Sequence, residues 1–241
     1  MLTNKYWGPI QENLDYISSL VKDGDNVLEI GPGNKPFSKA TEFCGWTNEE
    51  QSRLGKYKVA DVSKEMLPYK NKEFDFVYCR HVLEDLWNPI NAIKEITRIA
   101  KRGYMETPSP LCEMTKGVDG GNNTPWRGYA HHRYIIWNDS NVLHILPKFP
   151  IIEHAKFQDE SVMEQMLKNP FHWCTFFSFE DTIHYKLHEM GLEQDFTFID
   201  DSYFKIIDNA INTGIQNSNQ QIEKVSQYYA NKNRTATSER V

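Results

Sequence analysis

Hydrophobic and polar positions along the chain repeat with two periods, and the switches between them mark out the elements. Ile10, Leu14, Ile17 and Leu20–Val21 fall on one stripe at helical spacing. They predict an amphipathic helix over residues 4–22, stopped by the turn Asp23-Gly24-Asp25. Short apolar runs bounded by turn residues predict strands over 26–30, 41–46, 57–60, 74–79 and 103–106. Between the last two, Ile90, Ile93, Ile96, Ile99 and Ala100 recur at helical spacing behind Pro89, which suits a first turn, and predict a helix over 88–101. Residues 111–137 are irregular and rich in Gly, Asn and Pro; a loop of that length inside a compact domain is uncommon and often functional, and this one is expected on the acceptor side. Apolar patterning returns over 170–207, with a helix expected over 178–190, ended by Gly191, and a strand over 194–199. From Asp208 the chain turns polar, with a helix expected over 221–229 and disorder over 230–241. This divides the chain into a main domain, 1–207, and a polar extension, 208–241.

Strands alternating with helical spans predict an α/β fold: a doubly wound, mostly parallel sheet with helices on both faces. Ligands in such sheets lie outside the carboxyl ends of the strands. Gly31–Gly33, Asp61, Arg80–His81 and Glu106–Ser109 fall there. With 241 residues, 39% of them hydrophobic, the chain can bury a real core, which excludes wholesale disorder. A net charge of -6 disfavours a nucleic-acid partner. No run approaches the roughly 18 apolar residues of a membrane span, so no membrane partner is expected. The first residues carry no apolar leader, and the four cysteines show no C-x-x-C pair. Both point to reduced thiols and a cytoplasmic location.

The candidate chemistry begins at Val27-Leu28-Glu29-Ile30-Gly31-Pro32-Gly33, a glycine hinge after a buried strand where backbone can approach a ligand closely. A side chain at Gly31 should block that approach and leave the fold largely intact. Alone, such a hinge also fits an ordinary tight turn. It is followed by Asp61-Val62 before Leu67-Pro68-Tyr69, by Phe74-Asp75-Phe76-Val77, and by His81-Val82-Leu83-Glu84-Asp85. With these segments in this order, the chain resembles class I S-adenosylmethionine-dependent methyltransferases, specifically the type 11 methyltransferase-domain group. Lys101-Arg102-Gly103-Tyr104-Met105-Glu106-Thr107-Pro108-Ser109 and His132-Arg133-Tyr134 narrow the resemblance to a subgroup with K-R-G-Y-x-E-T-P-S and H-R-W motifs. It covers residues 26–137.

The resemblance implies a Rossmann-like class I methyltransferase fold, S-adenosylmethionine as cofactor and S-adenosylhomocysteine as product. Glu29, Gly31 and Gly33 would surround the methionine moiety. Asp61 and the Val62 amide would meet the adenine, and Arg80 and His81 would lie beneath the sulfonium. The sequence departs from the pattern at the second strand, which should end in an acidic residue for the ribose. Glu42 falls mid-strand, and Glu49 and Glu50 follow in the loop. Asp85 stands where a second His is usual.

The expected activity is methylation of a hydroxyl on a small-molecule or glycan acceptor, with His132 as general base and His81 and Glu106 as further catalytic candidates. His131 and His132, with Glu106 and Asp119, could gather a divalent metal, but adjacent loop histidines lack ligand spacing, so a metal is not favoured and no ligand is assigned. His184 and His188 have i, i+4 spacing and fit an exposed helix face better than a site. Trp126, Tyr129, Tyr134, Trp137, Trp173, Phe176 and Phe177 could stack on a sugar or simply pack the core. The rival reading is a non-catalytic binding or scaffold module of the same fold. A dinucleotide-dependent oxidoreductase is disfavoured because Gly31-Pro32-Gly33-Asn34-Lys35-Pro36 lacks the third glycine opening a helix.

Overall fold

The computed structural model describes residues 8–47, 53–119, 124–154, 159–188 and 201–238. Its first helix, α1 (Gln11–Leu20), starts later than the expected 4–22, since Gly8, Pro9 and Ile10 precede it in non-helical backbone. Four strands follow near their expected places: β1 (Val27–Ile30), β2 (Glu42–Gly45), β3 (Tyr57–Val59) and β4 (Phe74–Arg80). Helix α2 (Pro89–Ile99) opens on Asn88, whose side chain accepts a hydrogen bond from the Asn91 amide. Strand β5 (Ala100–Pro108) begins where α2 ends. It outgrows the expected 103–106 because β4 pairs with it on one side and β8 (Cys174–Glu180) on the other.

The sheet runs β3-β2-β1-β4-β5-β8, with only β8 antiparallel. Strand order reverses between β1 and β4, which opens a crevice at their carboxyl ends. Side chains alternate across the sheet. Leu28, Ile30, Val77, Cys79, Met105 and Phe177 pack towards α2. Val27, Phe76, Tyr78, Tyr104 and Phe176 pack towards α1 and the last helix, α5 (Asp201–Ser238). Both faces are thus covered, as expected.

Residues 178–188, the described part of the expected helix over 178–190, correct the sequence reading. The expected helix is instead β8, a turn, and β9 (Tyr185–Leu187). Phe176, Phe177 and Phe179 are buried along β8, and aromatic residues packed on a sheet outweigh a helical repeat. Strand β9 joins β6 (Tyr134–Asp139) and β7 (Val142–Pro147) in a small sheet, β6-β7-β9. Consequently His184 and His188 flank β9 outside any helix, and His188 Nε2 sits 3.0 Å from Nδ1 of His144. The strand expected over 194–199 lies outside the described residues.

The described residues of the stretch 111–137 are also more ordered than its composition suggests. Helix α3 (Pro110–Met114), capped by Ser109, is wholly buried, and β6 has begun by Tyr134. Helix α4 (Asp159–Leu167) packs beside α3. Helix α5 replaces the short helix expected over 221–229 and stays helical through 230–238, where disorder was expected. The division placed at 207/208 falls inside this one helix. A few of its polar residues, Asn217, Ser218 and Gln221, are buried. Asn217 exchanges two hydrogen bonds with the Phe176 backbone, at 2.9 and 3.0 Å, and Gln221 donates to Asn13 Oδ1 at 2.6 Å. No described helix is long and apolar enough to cross a membrane.

Candidate active site

A cleft of about 600 Å³ opens at the carboxyl ends of β1 to β4. Ile30, Gly31 and Gly33 form its floor, Gly45 and Trp46 one wall, and Asp61 to Lys64 the far end. His81, Val82, Asp85, Leu86 and Trp87, with His131 and Arg133, close the other side. Gly31 and Gly33 have φ of +71° and +51°, a backbone that glycine adopts without strain. The Arg53 guanidinium donates to the carbonyls of Gly33 and Asn34, fixing the loop from its outer side. His81 also has positive φ, +52°, an uncommon conformation for a residue with a side chain. It is held by its amide donating to the Glu106 carbonyl at 2.8 Å.

Of the expected cofactor residues, Gly31, Gly33, Asp61, Val62 and His81 line this cleft. Asp61 Oδ1 accepts from the Ser63 amide at 3.0 Å, and Oδ2 pairs with Lys64 at 2.9 Å. Partial burial alone would raise this carboxyl, but these partners hold it below its usual range.

Glu29, Arg80 and Glu106 are not among the lining residues. Strand alternation turns Glu29 and Glu106 to the α1 side of the sheet. Glu29 Oε2 accepts from the Phe37 amide at 2.7 Å, bracing the glycine loop from behind. Arg80 Nε donates to Glu106 Oε1 at 2.7 Å, and Tyr104 and Asn13 donate to Oε2 at 2.6 and 3.4 Å. Burial would raise the Glu106 carboxyl, but the Arg80 charge and the His81 and Tyr104 contacts hold it far below its usual range. An anion so stabilised and enclosed is a poor proton acceptor, so Glu106 is structural, not the base considered above.

His132 also lies behind the wall, not on it. Its side chain is 3% exposed, and Nδ1 is 2.5 Å from Glu113 Oε1. Lys148 donates to Glu113 Oε2 at 2.7 Å. Burial would raise the Glu113 carboxyl, but Lys148 and His132 hold it down; it is therefore ionised and accepts from Nδ1–H. Burial alone would lower the His132 imidazole, but Glu113 foremost, then Glu84 and Asp85, raise it. Nε2 points to Asp85, 3.8 Å from Oδ1, and the exposed His131 places its own Nε2 3.7 Å from the same oxygen. Partial burial and the neighbouring Glu84 carboxylate push the Asp85 carboxyl up. The two segments are joined by backbone: the Arg133 amide donates to the Glu84 carbonyl at 2.7 Å, and Arg133 Nε to the Asp85 carbonyl at 3.1 Å. The Arg133 guanidinium stacks 3.5 Å from the centre of the Trp87 ring.

Sequence reasoning missed Trp46, Trp87, Asp85, Glu113 and Lys148. Trp46 is 80% exposed although it lines the cleft, an unusual place for its large apolar ring. It stands where the expected ribose carboxylate is missing, and Glu42 lies at the opposite end of β2, 3.6 Å from Lys58. Glu49 and Glu50 lie outside the described residues. Of the aromatics singled out as stacking candidates, Tyr129, Trp137, Phe176 and Phe177 are core. Asp119, considered with the histidines, instead accepts from Trp126 Nε1 and the Ala130 amide, each at 3.2 Å.

A methyltransferase-domain family profile matches residues 5–171, more than half of the chain. An uncharacterised protein of Methanocaldococcus jannaschii is 36% identical over 81 residues, covering 32% of this chain; the chain spans only 40% of that curated relative. Among solved structures, an S-adenosylmethionine-dependent methyltransferase of Mesorhizobium loti matches with 16% identity and a TM-score of 0.36, covering 43% of this chain and 57% of that one. A possible histamine N-methyltransferase of Thermotoga maritima matches with 20% identity and a TM-score of 0.37, covering 42% and 52%. The order of strands, the glycine hinge at the end of β1 and the profile match agree: this chain belongs to the methyltransferase-domain family.

Proposed function

We propose that the chain is an S-adenosylmethionine-dependent methyltransferase acting on a hydroxyl oxygen of a small molecule, with a sugar or glycan as the preferred acceptor class. The carrying observation is a single cleft that joins two unlike ends. One end has the Gly31–Gly33 hinge, Asp61 and the exposed Trp46; the other has Asp85, His131 and the Trp87–Arg133 stack. Its volume lies within the range of small-molecule and cofactor sites, and Gly31 and Gly33 line it with bare backbone.

In this reading Gly31 and Gly33 hold the amino-acid part of the cofactor, and Asp61 and Val62 the adenine. Trp46 supplies a ring face for the adenosine in place of a ribose carboxylate. When bound, the cofactor supplies an electrophilic methyl group on a sulfonium. His81, held by Glu106 behind it, faces that group from just past the end of β4. Trp87 and Arg133 present an aromatic face and a planar cation to the acceptor, whose hydroxyl is activated beside the Asp85–His131–His132 cluster. The missing carboxylate at β2 favours a second reading, a binding module without catalysis.

Calorimetric titration with S-adenosylhomocysteine, then a labelled-donor screen across sugars, phenols, amines and nucleic acids, separates the readings. Trp46→Ala should weaken S-adenosylhomocysteine by about 1–3 kcal/mol, roughly 5- to 150-fold, the worth of a base stacked on an aromatic ring. Thermal stability should be unchanged, because the ring is exposed. No binding to wild type defeats the methyltransferase reading. Binding without transfer to any acceptor supports the module.

A further inference from the structure

We propose that Asp85, His131 and His132 form a binding site for a divalent transition-metal ion of the zinc class, whose open position takes the acceptor's hydroxyl oxygen. The proposal rests on the methyltransferase reading above and names the device at its acceptor end. The three donor atoms lie within 4.8 Å of one another. Tetrahedral zinc bonds of about 2.0–2.2 Å place donors that share an ion roughly 3.3–3.6 Å apart. Both carboxylate–imidazole edges, 3.7 and 3.8 Å, lie within about 0.5 Å of that spacing. The remaining edge closes by turning His131, whose side chain is exposed.

The donor set selects the metal. Magnesium and calcium take oxygen ligands, whereas two imidazoles and one carboxylate suit zinc and its neighbours. The orientation of His132 is the second, independent observation. Its Nδ1–H is fixed on Glu113, a carboxylate 1% exposed and itself held by Lys148, so the Nε2 lone pair is aimed at Asp85. Carboxylates of this kind orient metal-ligating histidines and raise their basicity. A surface ion pair between His131 and Asp85 would need no such buried support.

Three protein ligands leave one position free, as in catalytic zinc sites. Asp85 and His131 are on the cleft wall, so that position faces the cleft. A hydroxyl bound there is acidified and loses its proton to water. Its oxygen then gives an electron pair to the methyl carbon as the carbon–sulfur bond breaks, leaving its pair on sulfur.

The test is titration of metal-free, full-length protein with Co²⁺, which reports a four-coordinate site by intense visible absorption, beside S-adenosylhomocysteine calorimetry without metal. Wild type should bind one Co²⁺, displaced by Zn²⁺. Asp85→Asn and His131→Ala should each lower the affinity at least 10-fold and leave S-adenosylhomocysteine binding unchanged. His188→Ala, which removes the other close histidine pair, should bind Co²⁺ like wild type. The proposal is overturned by absent stoichiometric binding, by unchanged affinity in both cluster variants, or by loss of binding in His188→Ala. If S-adenosylhomocysteine binds and Co²⁺ does not, only the metal proposal falls. If Co²⁺ binds as described and S-adenosylhomocysteine does not, the metal site stands and the methyl-donor reading falls.

Discussion

Gly31 is where folding and ligand binding meet, and substituting it separates the two only if its neighbour is changed as well. A Cβ built at Gly31 runs into Cγ2 of Val82, on the turn that follows β4. The expectation that a side chain here would spare the fold is therefore corrected. Gly31→Ala carries two costs. The left-handed backbone at φ +71° costs an alanine about 1–2 kcal/mol. Forcing a methyl group into packed atoms costs about 1–3 kcal/mol more. The sum, about 2–5 kcal/mol, is a large share of a domain's stability. Val82→Ala removes a half-buried side chain, costs about 1 kcal/mol alone, and vacates the space the new methyl needs. The double variant should thus be about 1–3 kcal/mol more stable than the two single losses predict. Urea unfolding at constant m-value measures all four corners of the cycle. A coupling below about 0.5 kcal/mol, or a Gly31→Ala protein as stable as wild type, would refute the reasoning. Calorimetry on the double variant then reads the ligand effect on a folded protein. Its affinity for S-adenosylhomocysteine should fall below that of Val82→Ala, because the added methyl still narrows the cleft floor.

Two further perturbations probe buried charge. Glu106→Gln should destabilise by about 3–5 kcal/mol, since it removes the carboxylate that compensates the enclosed Arg80 guanidinium. The wild-type Glu106 pKa is depressed on folding, so its contribution is complete above the unfolded value near 4.3 and is lost as pH falls towards the much lower folded value. Urea midpoints against pH should therefore drop in acid for wild type and change less for the variant; parallel curves would count against the pair. His188 is depressed to about 4, by burial first and the adjacent His144 second. It contributes stability above the unfolded value near 6.5, which is lost as pH falls to about 4, and His188→Ala should flatten the curve across that window. Curves of equal slope there would show that the histidine pair does not titrate with folding.

What the sequence alone determined is local. The parallel strands β1 to β4, helix α2 with its Asn88 cap, and the strand-end placement of Gly31, Gly33, Asp61 and His81 follow from short apolar runs and turn residues, which act over a few positions. What the sequence misread was set by distant partners. The 178–190 segment has a helical repeat, yet its described residues, through His188, go into β8, a turn and β9 because β5 and β7 offer unpaired edges. The polar residues after Asp208 look like a solvated tail, yet Asn217 and Gln221 are buried because Phe176 and Asn13 satisfy them. The site divides the same way. The glycine hinge is legible because φ above zero demands glycine and its neighbours in sequence complete the motif. Which histidine faces the cleft, and which carboxylate stands beside it, was decided only when two segments some 46 residues apart, around Asp85 and His131, were joined by the Arg133 hydrogen bonds. Spacing along a chain carries no information about such a contact, because the geometry that selects the partner exists only once the sheet has brought both segments to one end.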